Sequence, residues 1–349
     1  MRHPLVTEDL RTILADKAVD WSAFEGTHVL VSGASGFLPA YMVETLLFAN
    51  EVLLSNKLTV IALVRNMERA KVRFSHYAGR PDLKLIEHDV ALPFQWDGEV
   101  DYFIHAASQA SPRYFFSDPV GTIKSNSNGT HHLLELALQK KARSFLYFSS
   151  GEVYGNIFDY QPQARETDYA VLDPQNVRNC YGISKKLGEM LCVSFTHQFG
   201  LPTRIVRPSH TYGPGFRFDD GRAFTSFVAN VIQGKNIVLS SDGSACRSFL
   251  YLADATRAYF NVLLNGKVAE AYNVGNAYET SMLDVANLVI AASGDTSLNV
   301  EVNIAPGATA SSTAKHGMLS IEKLQSLNWK PTIAENEGFR RTLDYYRKA

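Results

Sequence analysis

The chain runs to 349 residues, long enough to bury a sizeable core, and its 46% hydrophobic and 20% charged content is that of an ordinary globular protein. A formal net charge of -1 supplies no drive toward nucleic acid or anionic lipid, and no stretch approaches the roughly 20 apolar residues that span a bilayer. Three cysteines, Cys180, Cys192 and Cys246, stand far apart without zinc-site spacing, so a reduced, cytoplasmic setting without a metal is expected.

Residues 1–26 read as an N-terminal extension with a short amphipathic helix over 7–18 and no secretory core. From residue 27, short β-branched runs alternate with helical patterns. Strands are predicted over 28–31, 58–64, 83–87, 100–105, 145–149 and 203–206. Helices are predicted over 39–50, 68–77, 120–139 and 181–199. Such alternation implies right-handed crossovers and an α/β fold, a doubly wound parallel sheet of the Rossmann type, over 27–207. After Arg207 the pieces become shorter and richer in Gly, Asp and Ser. Residues 208–349 are read mainly as a smaller substrate-binding lobe, with some segments returning to the sheet.

The first strand runs into Gly33-Ala-Ser35-Gly36-Phe37-Leu38. Glycine at 33 permits a tight turn, and glycine at 36 lets a pyrophosphate approach backbone amides where a helix begins. The position of a third glycine holds Pro39. The second strand ends in Val64-Arg65-Asn66, without the acid that would hold an adenosine ribose; Arg65 could stack on adenine, accept a 2′-phosphate, or be a solvated loop cation. NAD is therefore expected, with NADP left open. Asp89 and Val90 end the third strand, where Asp89 could meet the adenine amino group. Ala106, Ala107 and Ser108 leave room for a cofactor at the tip of the fourth.

Tyr181 and Lys185 stand four apart on a predicted helix and so share a face. A phenol of ordinary pKa about 10 is a poor base near neutrality, and an ammonium beside it stabilises the phenolate. Lys185 can also bind the nicotinamide ribose. Ser149-Ser150-Gly151-Glu152 ends the preceding strand; Ser150 can donate to the oxygen that Tyr181 deprotonates. An extended backbone would put Glu152 on the same side as Ser150. His131, His132 and His210 have no metal-ligand partners at useful spacing and read as core or surface residues.

Together these residues resemble the extended short-chain dehydrogenase/reductase family of nucleotide-sugar epimerases, dehydratases and decarboxylases, over nearly all of 27–345. Within it the likeness is to the UDP-glucuronate decarboxylase branch. It is carried by the run from Ala107 to Tyr114, by Pro119, Thr122, Lys124, Asn126 and Gly129-Thr130, by Ser150 to Gly155, by Arg178, by Asp220-Gly221-Arg222, and by Arg247 to Asp254. The resemblance implies that Tyr181, Lys185, Ser150 and Glu152 are catalytic and that Lys124 lies at the cofactor. It implies that Tyr114, Arg178 and Tyr212 lie at the substrate, and that Arg222 and Arg247 grip its diphosphate. It also implies a homodimer through the helices over 120–139 and 181–199. The expected chemistry passes through a transient 4-keto sugar with NAD regenerated. The family's glucose dehydratases carry an Asp where Gly151 stands, which weakens that outcome; a 4,6-dehydratase, a 4-epimerase and a non-catalytic dinucleotide sensor or scaffold remain as alternatives.

Overall fold

The computed structural model describes residues 2–304 and 315–347. Its first helix, α1, spans Pro4–Leu14, starting earlier than 7–18 because Pro4 presets the first helical φ and His3 Nδ1 accepts the Leu5 N–H at 3.2 Å. Val6, Leu10 and Ile13 of α1 are buried with Asp9.

Seven strands then form one sheet: β1 (His28–Ser32), β2 (Thr59–Val64), β3 (Leu83–Glu87), β4 (Tyr102–His105), β5 (Ser144–Phe148), β6 (Thr203–Pro208) and β7 (Ala271–Val274). Their order is β7-β6-β5-β4-β1-β2-β3, and every neighbouring pair is parallel. Helices cover both faces, so inner strands such as β5 are buried at every residue and read as unbroken apolar runs. Alternate side chains divide between two cores. Val29 and Val31 join the larger, under α2 (Phe37–Val52), while Leu30 joins the other. After α3 (Met67–Arg73), that second face is covered by α4 (Pro119–Gln139) and α5 (Cys180–Phe199), which pack on each other. The chain reverses its winding between β1 and β4, the point where ligands of such sheets bind.

The remaining residues add α6 (Ala223–Ile232), α7 (Leu252–Asn265), α8 (Met282–Ser293) and α9 (Glu335–Arg347). Helices α6, α8 and α9 pack together beside the sheet, whereas α7 lies on it and β7 extends it. Among the described residues four short strand pairs stitch this region; in one, His210–Tyr212 runs parallel to Phe249–Tyr251. Helix α1 packs on α2 and α7, and the Asp9 carboxylate accepts from the Tyr41 hydroxyl at 2.7 Å, the Tyr251 hydroxyl at 2.7 Å and Arg341 of α9 at 2.8 Å. Residues 4–14 are thus built into the core. Among the described residues no helix is long and apolar enough to cross a membrane, and no three His, Cys, Asp or Glu side chains are grouped to hold a metal ion.

Candidate active site

β1 delivers Gly33 at φ +66, pressed so closely on the residues after β4 that a Cβ there would lie 2.7 Å from the Ala107 Cα. Gly36 caps α2 without a side-chain hydrogen bond, so the first-turn amides of Phe37 and Leu38 are left to a ligand. Pro39 fits because the third helical position needs no N–H. Behind the turn a buried chain fixes its register. The Ser32 hydroxyl accepts from the Ala107 N–H at 3.2 Å and lies 2.7 Å from His105 Nδ1; His105 Nε2 lies 3.0 Å from the Thr130 hydroxyl, which donates to the Asn126 carbonyl. With the Thr130 proton committed, Nε2 must carry the imidazole proton and Nδ1 must accept. Burial, aided by nearby Lys185, pushes His105 down to about 3, so it stays neutral.

This cradle fits a dinucleotide. The Ser108 hydroxyl at its floor is buried without a hydrogen-bond partner among the described residues, ready for a ligand group. Ser35 is half-buried in the loop and Ala106 beside Ala107 presents only a methyl group. Arg65 stands exposed at the tip of β2. Asp89 is exposed too, and its carboxylate already accepts the Ala91 N–H at 3.0 Å, while Val90 is buried against Gly129. Lys124 is exposed on α4.

Tyr181 lies in the first turn of α5, buried, with the Phe115 ring stacked flat on it at 4.9 Å. Burial pushes its phenol up to about 12, opposed by the nearby Ser150 hydroxyl and, more weakly, by Ser108. One turn on, Lys185 donates to the Phe148 carbonyl at 2.6 Å and lies over the rings of Tyr147 and Tyr181 at 5.0 and 5.7 Å. Burial drags its amine down to about 7, opposed by Glu189. Both groups sit away from the charge states that proton abstraction needs. A cationic nicotinamide ring and ribose hydroxyls would shift each the required way.

The backbone at Glu152 differs from the extended geometry that alternation predicts. Residues Gly151–Tyr154 form a 3₁₀ turn, because the Ser150 hydroxyl accepts the Glu152 N–H at 3.2 Å and curls the chain. Glu152 then meets Arg178 at 3.2 Å, and the same guanidinium lies 4.9 Å over Phe115. Arg222 acts on the Tyr181 phenol, and Arg247 feels the Glu152 carboxylate. His210, partly buried and 5.5 Å from the Phe249 ring, is pushed down to about 3 by burial, then by Arg222 and Arg247. The fold therefore sets Tyr181, Lys185, Ser150, Glu152, Arg178, Arg222 and Arg247 near one another, with Ser108 near the phenol and His210 near the arginines.

Two expected substrate residues fare differently. Tyr212 belongs to the core: its hydroxyl donates to the Glu335 carbonyl at 3.2 Å and its ring stacks on Phe339 at 4.1 Å. The loop pattern at 212–215 gave no hint that α9 would cover it. Tyr114 is half-buried and accepts from Arg113 at 2.8 Å, with that guanidinium over its ring; its neighbour Phe115 is the residue that meets Tyr181.

A profile of the NAD dependent epimerase/dehydratase family matches residues 29–275. The chain is 30% identical over 324 residues to "UDP-glucuronic acid decarboxylase 1" of Xenopus tropicalis, covering 92% of this chain and 72% of the relative. It is 33% identical over 319 residues to "UDP-glucuronic acid decarboxylase 1" of Arabidopsis thaliana, covering 91% and 69%. Among solved structures it resembles a UDP-glucose 4-epimerase of Thermotoga maritima with a TM-score of 0.76, 22% identity and coverage of 92% and 99%. A UDP-glucuronic acid 4-epimerase of Bacillus cereus, in complex with UDP-glucuronic acid and NAD, matches with a TM-score of 0.74, again at 22% identity and with coverage of 92% and 99%. At that identity the structures establish the shared fold.

Proposed function

This chain belongs to the NAD dependent epimerase/dehydratase family, and from that membership we propose that it is an enzyme that remodels a nucleotide sugar through a transient 4-keto intermediate, with decarboxylation of UDP-glucuronate as its reaction. The observation that carries this reading is the charge pattern at the phenol. Glu152 lies beside Tyr181 among the guanidiniums of Arg178, Arg222 and Arg247. Three such groups match a diphosphate plus a sugar carboxylate, whereas a neutral hexose would need fewer.

Residues that would hold the dinucleotide are Gly33, Ser35, Gly36, Phe37 and Leu38 at the pyrophosphate and Lys185 at the nicotinamide ribose. When bound, the nicotinamide accepts hydride from C4 and later returns it, so there is no net redox change. Tyr181 takes the C4 hydroxyl proton, with Ser150 and Ser108 orienting the phenol. Once C4 is a ketone, the C5 carboxylate is a β-keto acid; the bond from C5 to the carboxyl carbon breaks and carbon dioxide leaves an enolate. In this reading Glu152 relays a proton from solvent to C5. The stacked Phe115 keeps water from one face of Tyr181.

Gly151 argues against loss of water. A Cβ there would meet nothing closer than Leu319 at 3.4 Å, so the backbone would tolerate a dehydratase's acid that this chain lacks. Mass spectrometry of UDP-glucuronate incubated with protein and NAD should show loss of carbon dioxide. An unchanged mass with inverted C4 would make the chain an epimerase, and no change at all a binding module.

NAD is the cofactor of this reading. One observation favours NADP instead: Arg65 is exposed at the tip of β2, where the chain has no ribose-binding carboxylate. If Arg65 grips a 2′-phosphate, Arg65→Ala should weaken NADP by roughly tenfold in a fluorescence titration while leaving NAD unchanged. Equal affinities before and after the substitution would remove that second reading.

We also propose a homodimer through α4 and α5. Their shared surface exposes Val120, Ile123, Leu187, Met190 and Val193, an apolar face that a second copy would bury. A solution mass of one 38.7 kDa subunit by light scattering would exclude it.

A further inference from the structure

We propose that Glu189 is a positioning residue: it keeps the Lys185 amine charged and so sets that amine's grip on the dinucleotide. The proposal rests on the reading that Lys185 meets the nicotinamide ribose, but on no particular sugar substrate.

Glu189 stands one helical turn beyond Lys185 on α5, so the two share a face. Both its oxygens are committed. One accepts from the Ser149 hydroxyl at 2.5 Å and from Arg207 Nε at 2.8 Å; the other accepts from a terminal Arg207 nitrogen at 2.6 Å. Arg207, on β6, is itself fixed by donating to the Tyr154 hydroxyl at 2.7 Å. A carboxylate so held stays in place.

Lys185 needs such a neighbour. Its side chain is 2% exposed, and burial alone works to strip its proton. The groups that face it can be named element by element. On its own helix they are Tyr181, Glu189 and Cys192. From β5 come the Tyr147 ring and the Phe148 carbonyl, and from β4 comes His105, which is neutral. Tyr181 and Cys192 are both pushed toward their protonated forms by burial. Among these groups Glu189 alone carries a formal negative charge. The Ser149 contact adds a second link, since Ser149 precedes Ser150 and ties the catalytic strand end to the catalytic helix.

A simpler role would be to staple α5 to β6 through the ion pair with Arg207. The two roles differ in pH dependence. An amine that loses its proton as pH rises through its pKa holds ribose less well above that point, and removing Glu189's charge lowers the point. The measurement is NADH affinity by fluorescence titration of the full chain between pH 6 and pH 9.5. In Glu189→Gln the fall in affinity should begin about one pH unit lower than in the wild type. At pH 8 that is roughly a tenfold weaker complex, with affinity at pH 6 within about threefold. Equal weakening at every pH would leave only the staple, and an unmoved profile would overturn the proposal; so would a wild-type affinity indifferent to pH. Should the Gln variant fail to fold, Glu189→Asp withdraws the charge by one methylene and should shift the profile by a smaller step in the same direction. An unmoved profile there overturns the proposal equally. Absence of UDP-glucuronate turnover with this pH signature intact would count against the substrate and not against Glu189.

Discussion

Tyr181→Phe should cut turnover by at least about a thousandfold while leaving the fold and NADH binding nearly as they are. The substitution removes one oxygen and keeps the ring that stacks on Phe115 at 4.9 Å. What disappears is the phenol oxygen that the proposed mechanism uses to take the C4 proton, near the Ser150 and Ser108 hydroxyls. Product formation from UDP-glucuronate, followed beside an NADH titration, checks both halves of the expectation. A variant that turns over at the wild-type rate would mean that another base does the work, and the assigned mechanism would fall.

The second large effect lies far from the cleft. Asp9→Ala should lower stability by about 3–5 kcal/mol, because it removes a fully buried carboxylate that pairs with Arg341 and accepts from the Tyr41 and Tyr251 hydroxyls. Arg341 keeps Glu8 and Glu337, which softens the loss on its side. Among the described residues the two buried tyrosine hydroxyls have Asp9 as their acceptor and no second one. Asp9→Asn, which retains an acceptor but not the charge, should lose less. Thermal or urea unfolding compares the three proteins directly, and an Ala variant within 1 kcal/mol of wild type would show that solvent or local rearrangement satisfies the knot.

Much of this molecule is written in short-range pattern. Gly33 and Gly36 were legible because a strand, a turn and a helix follow within a few residues. Tyr181 and Lys185 were legible because a spacing of four fixes a shared helical face. The same spacing links Lys185 to Glu189, so that pairing was available to sequence reasoning; its meaning was not, since it depends on Ser149 and Arg207 arriving from adjacent strands. The convergence of His210 on Arg222 and Arg247 likewise needs the pairing of His210–Tyr212 with Phe249–Tyr251, which no local signal announces. Tyr212 was misplaced for a related reason. Its turn-rich neighbourhood resembles a surface loop until α9 is laid across it. At Ser150 the residue types were informative, but a side-chain hydrogen bond two residues on replaced strand geometry with a 3₁₀ turn.

The Asp9 knot also constrains the order in which the polypeptide can mature. Asp9 and Arg341 are 332 positions apart, so residues 4–14 emerge from the ribosome long before their partner exists. Until residues 335–347 have been synthesised, the Asp9 carboxylate has Tyr41 and then Tyr251 within its reach along the chain but lacks its cation. Closing a contact of that span is slow and comes late. Until then the apolar face of the segment, with Val6, Leu10 and Ile13, lacks the last part of its final packing.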